Sequence, residues 1–316
     1  MRSLVVGGAG FIGSHLVDQL VLRGPVTIYD NLSIGCREFV AQHIEAGRVR
    51  LVQADCLDLA ALCAAMPGHD AVFHLSANPE ARWGLDNTRF DLEQGTIATY
   101  NVLEAMRRTE VQRIVFSSSG TVYGDVATPV PEDFGPSLPI SLYGASKLAS
   151  EGLLSAFSHC FGLKVWIFRF GNVMGPRGTH GAALDFVKKL ERDPTRLEVL
   201  GDGEQRKPYL HVSDCVAGIL FGFDHADDAL NYFNLGPPDA TAVKDIAHIV
   251  IEEMGLAGAR IEFTGGQRGW PGDVPRSFLQ PDKLAALGFR VRYSSDQAVR
   301  LAVRDLVREW KARGFK

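Results

Sequence analysis

The sequence predicts an α/β fold, a doubly wound parallel sheet followed by a smaller C-terminal α/β domain, and three observations carry that expectation. Short apolar runs alternate with longer amphipathic stretches through the first half, a glycine-rich turn stands immediately after the first run, and past Gly171 the rhythm breaks into loops rich in Gly and Pro. Strand and helix in alternation imply right-handed crossovers and a sheet covered by helices on both faces. With 316 residues, 46% of them apolar, the chain is long enough to bury such a core.

Residues 4–6, 26–29, 49–53, 71–75, 114–117 and 165–170 read as the strands, and the segments between them as helices, the first over 14–22. The later helices are expected at Ala182–Arg192, Val243–Met254 and 296–313. The division falls at 170: residues 1–170 form the first domain, 171–316 the second, and the stretch 204–228 is expected to return to the large sheet. Ligands of such sheets bind beyond the carboxyl ends of the strands, so the residues just after each run are where chemistry is sought.

Composition excludes several classes. A net charge of −4 gives no overall basic field for nucleic acid. The opening MRSLVVGG reaches glycines at once, without the apolar core of a signal peptide, and no run approaches the roughly 18 apolar residues that span a bilayer. A cytoplasmic protein with no membrane partner is expected. The five cysteines are scattered and form no CxxC pair, which argues against a disulfide framework and against a metal site.

After the first strand comes Gly7-Gly8-Ala9-Gly10-Phe11-Ile12-Gly13. In this spacing Gly7 makes the tight turn, Gly10 lets backbone approach a pyrophosphate, and Gly13 packs helix on strand, a Rossmann-type arrangement with the helix N-terminus facing the phosphates. Asp30 closes the second strand 17 residues beyond Gly13, where a carboxylate takes the adenosine ribose hydroxyls and repels a 2′-phosphate, so NAD is expected over NADP. Asp55, Ser76 and Ala77 follow the third and fourth strands and are placed to meet the adenine and the middle of the cofactor.

In Leu142-Tyr143-Gly144-Ala145-Ser146-Lys147, Tyr and Lys stand four apart, on one face of a helix. A phenol is a poor base at neutral pH, but a neighbouring ammonium and a cationic nicotinamide both favour its phenolate. Tyr143 is therefore the candidate proton-transferring group, Lys147 its partner and anchor of the nicotinamide ribose, and Ser119, at the end of the fifth strand, the hydroxyl that shares the proton.

With these residues in view, the chain resembles the extended short-chain dehydrogenase/reductase family, and within it the UDP-glucose 4-epimerases, through GGAGFIG, DNLS, SSSGTVYG, YGASK, RFGNVMGPRG, LGDGEQRKPYLHVSD and GWPGDV. The resemblance implies that Tyr143 removes the proton of a sugar 4-hydroxyl while NAD oxidises C4. The 4-keto sugar then swings about its pyrophosphate link and is reduced on its other face. It extends the cofactor contacts to Phe11, Ile12, Asn31, Ser33, Gly35, Cys56, Leu75, Ser117, Phe170 and Val173. It assigns substrate contacts to Asn78, Thr121, Asn172, Val199, Arg206, Lys207, Arg268, Asp273 and Ser277, besides Ser119 and Tyr143. The expected partner is a UDP-hexose, and a homodimer is implied through helices over 87–108 and 142–161.

Sugar dehydratases of this family carry Asp-Glu where this chain has Gly120-Thr121, and decarboxylating relatives use a Glu beside the following Tyr, so neither reaction is favoured. Glucuronate epimerases tend to have Thr in place of Asn172, which points to a neutral hexose or an N-acetylhexosamine. Departures from the family pattern are Lys207-Pro208 for an Arg-Asp pair, Trp270 for a late Arg, and Gly95 for an Asn. Ser277 replaces a Tyr that narrows the sugar site in some relatives, leaving room for an N-acetyl group. A net dehydratase or reductase, and a non-catalytic dinucleotide-binding regulator, stay open as alternatives.

Overall fold

Apolar and β-branched residues concentrate in seven short segments, which in the computed structural model, describing residues 1–312, form one sheet. They are β1 (Ser3–Val6), β2 (Val26–Asp30), β3 (Val49–Gln53), β4 (Ala71–His74), β5 (Arg113–Ser119), β6 (Lys164–Phe170) and β7 (Leu230–Leu235). Their order is 7-6-5-4-1-2-3, and every neighbouring pair is parallel. Such strands need both faces covered, and two cores do this. Phe73, Val115, Trp166 and Phe168 pack with helices Phe11–Leu20 and Val212–His225 on one face; Tyr29, Val72, Phe116 and Ile167 pack with helices Leu59–Ala65, Ala98–Thr109 and Leu142–Phe161 on the other.

The six strands read from sequence are all present, and the seventh, β7, was not anticipated. The stretch 204–228 itself gives the large sheet no strand. Gly171 ends β6, where a β-carbon would stand 2.6 Å from the Pro208 carbonyl oxygen, and the chain peels away so that Asn172–Met174 pairs in parallel with Tyr209–His211. Helix Val212–His225 then covers the sheet, and β7 joins β6.

The first helix starts at Phe11, three residues earlier than its apolar spacing suggested, because Gly10 already acts as N-cap. The stretch 87–108 is not one helix. Thr88–Asp91 runs into a π-helical turn, Leu92–Ile97, before Ala98–Thr109 resumes regular geometry. A separate core built by helices Ala182–Arg192, Val243–Met254 and Ser295–Ala312 fills the smaller lobe; Arg313, included in the expected last helix, lies outside the described residues. Among the described residues no helix is long and apolar enough to cross a membrane.

Candidate active site

A cavity of about 780 Å³ opens beyond the carboxyl ends of β1, β2, β4, β5 and β6 and runs under the smaller lobe. Its floor is made by the glycine turn. Gly7 adopts φ +80°, and a β-carbon there would stand 2.6 Å from the Ser76 nitrogen; one at Gly13 would stand 2.1 Å from the Gly7 carbonyl oxygen. Both positions therefore exclude side chains. Gly10 faces open space apart from the Gly7 oxygen at 3.3 Å, and no side chain caps the helix that begins at Phe11. Its first N–H groups are left for a ligand, as an anion-binding helix N-terminus requires.

Asp30 is buried at the end of β2, where Oδ2 accepts the Ala9 N–H at 2.9 Å and Oδ1 the Leu32 N–H at 2.8 Å. These bonds fix a carboxylate at the cavity wall, although burial raises its pKa. Asn31 donates to Asp55 at 2.8 Å, and Ser33 closes on Asn31. This cradle of glycines, uncapped helix and ribose-height carboxylate fits NAD.

At the other end, Ser141 caps helix Leu142–Phe161 by accepting the Gly144 N–H, which starts the helix one residue before Tyr143. Lys147, one turn on and only 2% exposed, donates to the Ser117 carbonyl at 2.7 Å and stands 4.7 Å from the Phe116 ring centroid. Burial drives Lys147 down to about 7 against the opposing pull of Glu151 and Asp91. The Tyr143 hydroxyl is pushed up to about 12 by withdrawal from water and then by the Asp91 charge, while its hydrogen bond with Ser119 works the other way. The Ser119 hydroxyl in turn accepts the Thr121 N–H at 3.2 Å and the Thr121 hydroxyl at 3.0 Å. His74, beneath Lys147, is held neutral, pushed down to about 3 by burial and the lysine charge.

The geometry is that of a dinucleotide cradle leading to a Ser-Tyr-Lys group, and a model of the NAD dependent epimerase/dehydratase family matches residues 3–236. The chain belongs to this family. A putative UDP-glucose 4-epimerase of Methanocaldococcus jannaschii is 30% identical over 95% of this chain and 96% of its own. A UDP-N-acetyl-alpha-D-glucosaminuronate decarboxylase of Bacillus cytotoxicus is 31% identical over 78% of each. Among solved structures, a UDP-galactose 4-epimerase is 41% identical with a TM-score of 0.88, covering 98% of this chain and 99% of that one.

In this epimerase/dehydratase the cavity gathers most of the residues singled out from sequence: the glycine turn with Phe11 and Ile12, then Asp30, Asn31, Ser33, Gly35, Asp55, Leu75, Ser76, Ala77, Ser117, Phe170 and Val173. Ser119, Tyr143 and Lys147 line it with Asn78, Thr121, Asn172, Lys207, Asp273 and Ser277. Four do not reach it. Cys56 is buried behind Ser76, its hydrogen-bond partner. Val199 is fully buried in the small-lobe core, because Leu197 and Val199 are the inward residues of their strand. Arg206 precedes Lys207 in a two-residue strand, so the two point to opposite faces, Lys207 to the cavity and Arg206 to solvent. Arg268 is exposed and tied to Asp125 at 2.6 Å and to the Asp273 carbonyl.

Of the three cations singled out from sequence, Lys207 is thus the one that lines the cavity, and Asp273 holds it at 2.5 Å. Gly95 acquires a physical reason: a β-carbon there would stand 2.6 Å from the Ser146 hydroxyl, so the close crossing onto the Tyr143 helix requires glycine. Sequence reasoning missed Glu80, Arg82 and His180 on the cavity wall, where Arg82 clamps Glu80 at 2.8 and 2.9 Å. It also missed the buried acids Asp91 and Glu151. Glu151 was readable, since it falls one turn beyond Lys147 on the same helical face.

Proposed function

We propose that the protein interconverts the 4-epimers of a UDP-hexose, UDP-glucose and UDP-galactose first, with Ser119, Tyr143 and Lys147 as the catalytic group. The observation that carries this reading is the convergence of these three at one end of the cavity, with no acid at Gly120 or Thr121: Gly120 is packed on Leu279 and Thr121 is bonded to Ser119. The 41% identity to a UDP-galactose 4-epimerase across nearly the whole of both chains supports it over decarboxylation. NAD held by the glycine turn and Asp30 supplies the two-electron acceptor for C4. The chain's own residues handle the proton: Tyr143 takes it from the 4-hydroxyl, Ser119 bonds the same oxygen, and Lys147 provides the charge that makes the phenol a base. Asn172 and Lys207 hold the sugar and its diphosphate.

The test is incubation with a panel of UDP-sugars and NMR of the products. Interconversion of 4-epimers without added reduced cofactor is expected; a 4-keto-6-deoxy sugar or a pentose would overturn the assignment. Ser277 lines the sugar end, and we place the N-acetyl group of UDP-N-acetylglucosamine against it. Ser277→Tyr is expected to cut the N-acetyl reaction by about tenfold or more relative to UDP-glucose, and equal loss on both would remove that role.

Leu92, Ile97, Tyr100, Leu142 and Phe161 leave exposed apolar surface on the Leu92–Ile97, Ala98–Thr109 and Leu142–Phe161 segments. Exposed apolar side chains concentrated on neighbouring helices mark an association face, and we assign it to a second copy of the chain. Light scattering is expected to give a dimer mass, and a monomer at micromolar concentration would refute it.

A further inference from the structure

Asp91 ends helix Thr88–Asp91, just before the π-helical turn that carries the chain across the Tyr143 helix. It is 1% exposed. Its Oδ1 accepts the Asn78 amide at 3.0 Å, while its Oδ2 is buried with no hydrogen-bond partner. A β-carbon at Gly84 would stand 2.5 Å from that Oδ2, so the glycine is what gives the carboxyl room. A buried acid with one oxygen unsatisfied costs stability, and the single Asn78 bond offsets only part of it. Helix Thr88–Asp91 packs against the Leu142–Phe161 helix. Burial pushes the Asp91 carboxyl up, the Asn78 bond and the Lys147 charge pull it back down, and its charge acts in turn on the two residues that carry the proton chemistry, Tyr143 and Lys147.

We propose that Asp91 is a positioning residue for the Tyr143–Lys147 pair, a fixed negative charge anchored by Asn78 and Gly84 that keeps Lys147 charged and lets Tyr143 ionise only when a cation stands beside it. The inference rests on the reading of Tyr143 as the base. The other groups facing the pair are accounted for. Glu151 reaches Lys147 from the next turn but is taken up by Arg169, His74 beneath Lys147 is neutral, and Ser119 bonds Tyr143. Arg82, on the loop after Asn78, is neutralised by Glu80, Asp86 is exposed, and the half-buried Glu93 is paired with Arg89. Asp91 is therefore the one negative charge next to the pair without a cation of its own among the described residues.

The sign follows. Asp91 raises both Tyr143 and Lys147, so removing its charge makes each give up its proton at lower pH. In Asp91→Asn, which keeps an oxygen for the Asn78 amide, the tyrosinate absorbance of the NAD-loaded protein, read against Tyr143→Phe as blank, is expected to titrate about one pH unit lower. Both limbs of the pH–turnover curve move the same way. Asn78→Ala withdraws the bond that favours the Asp91 anion and is expected to give a smaller shift in the same direction, which serves if Asp91→Asn does not fold. An unchanged or upward titration in a folded variant overturns the inference. Failure of the unaltered protein to turn over any UDP-sugar would instead sink the functional reading and leave the spectroscopic shift standing.

Discussion

Tyr143→Phe is expected to lower turnover by about 10²–10⁴-fold, the usual contribution of a positioned proton-transfer group, while leaving KM for the UDP-sugar and the circular dichroism spectrum nearly unchanged. The variant keeps the ring beside Lys147, whose ammonium stands 5.8 Å from its centroid, and deletes only a hydroxyl bonded to Ser119. A fall in kcat with constant KM marks an interaction made in the transition state, whereas a rise in KM alone would mark a binding group and contradict the role. The position of Lys147 shows what this chemistry costs the fold. Burial holds it at about 7, against 10.5 for an unperturbed lysine. Between those values the unfolded chain binds the extra proton, so its burial costs stability fully below pH 7 and not at all above about pH 10.5. The Ser117 carbonyl and the nearby Asp91 and Glu151 charges offset part of that cost.

The fold and half of the site were legible for the same reason: both rest on short-range periodicity. The strands announced themselves as apolar runs, and Tyr143 and Lys147 as a four-residue step on a helix whose start Ser141 marks. Where the period changes, legibility stops. The π-helical turn at Leu92–Ile97 shifts the phase of the helix that precedes Ala98–Thr109, so Asp91 could not be placed beside Tyr143 by counting. Strand β7 lies beyond the break in the alternating rhythm and after a helix that belongs to the first domain, so nothing local ties it to β6. The misplaced residues show the reverse error. In Arg196–Val199 and Arg206–Lys207 the two-residue period of a strand already puts Val199 in the core and Arg206 on the face away from Lys207; family motif positions were followed there instead of the alternation.

Glu151→Gln is expected to destabilise the protein by about 3–5 kcal/mol, the range for removing one partner of a buried ion pair. Glu151 and Arg169 have side chains only 7% and 11% exposed. Arg169 binds the carboxylate through Nε at 3.0 Å and Nη2 at 2.7 Å, and spends its third nitrogen on the Tyr123 hydroxyl at 2.7 Å and the Glu132 carbonyl at 2.8 Å. The Ser118 hydroxyl donates to Glu151 at 2.5 Å, and Tyr123 donates onward to Asn234 at 2.8 Å. One guanidinium thus joins β5, β6, β7 and the Tyr143 helix directly behind the reacting groups. Glutamine cannot match its charge, and the arginine would remain buried and uncompensated, with Lys147 one turn away from the neutralised position. The urea midpoint should fall accordingly. Adding Arg169→Met to Glu151→Gln removes the stranded charge and is expected to restore more than half of the loss, since replacing a whole buried pair by apolar groups is often close to neutral. If the double variant is as unstable as the single one, packing and not charge holds this corner together. A stable double variant with low turnover would show that the pair serves the site more than the fold, because the negative charge that helps keep Lys147 protonated has gone while the strands it joined stay in place.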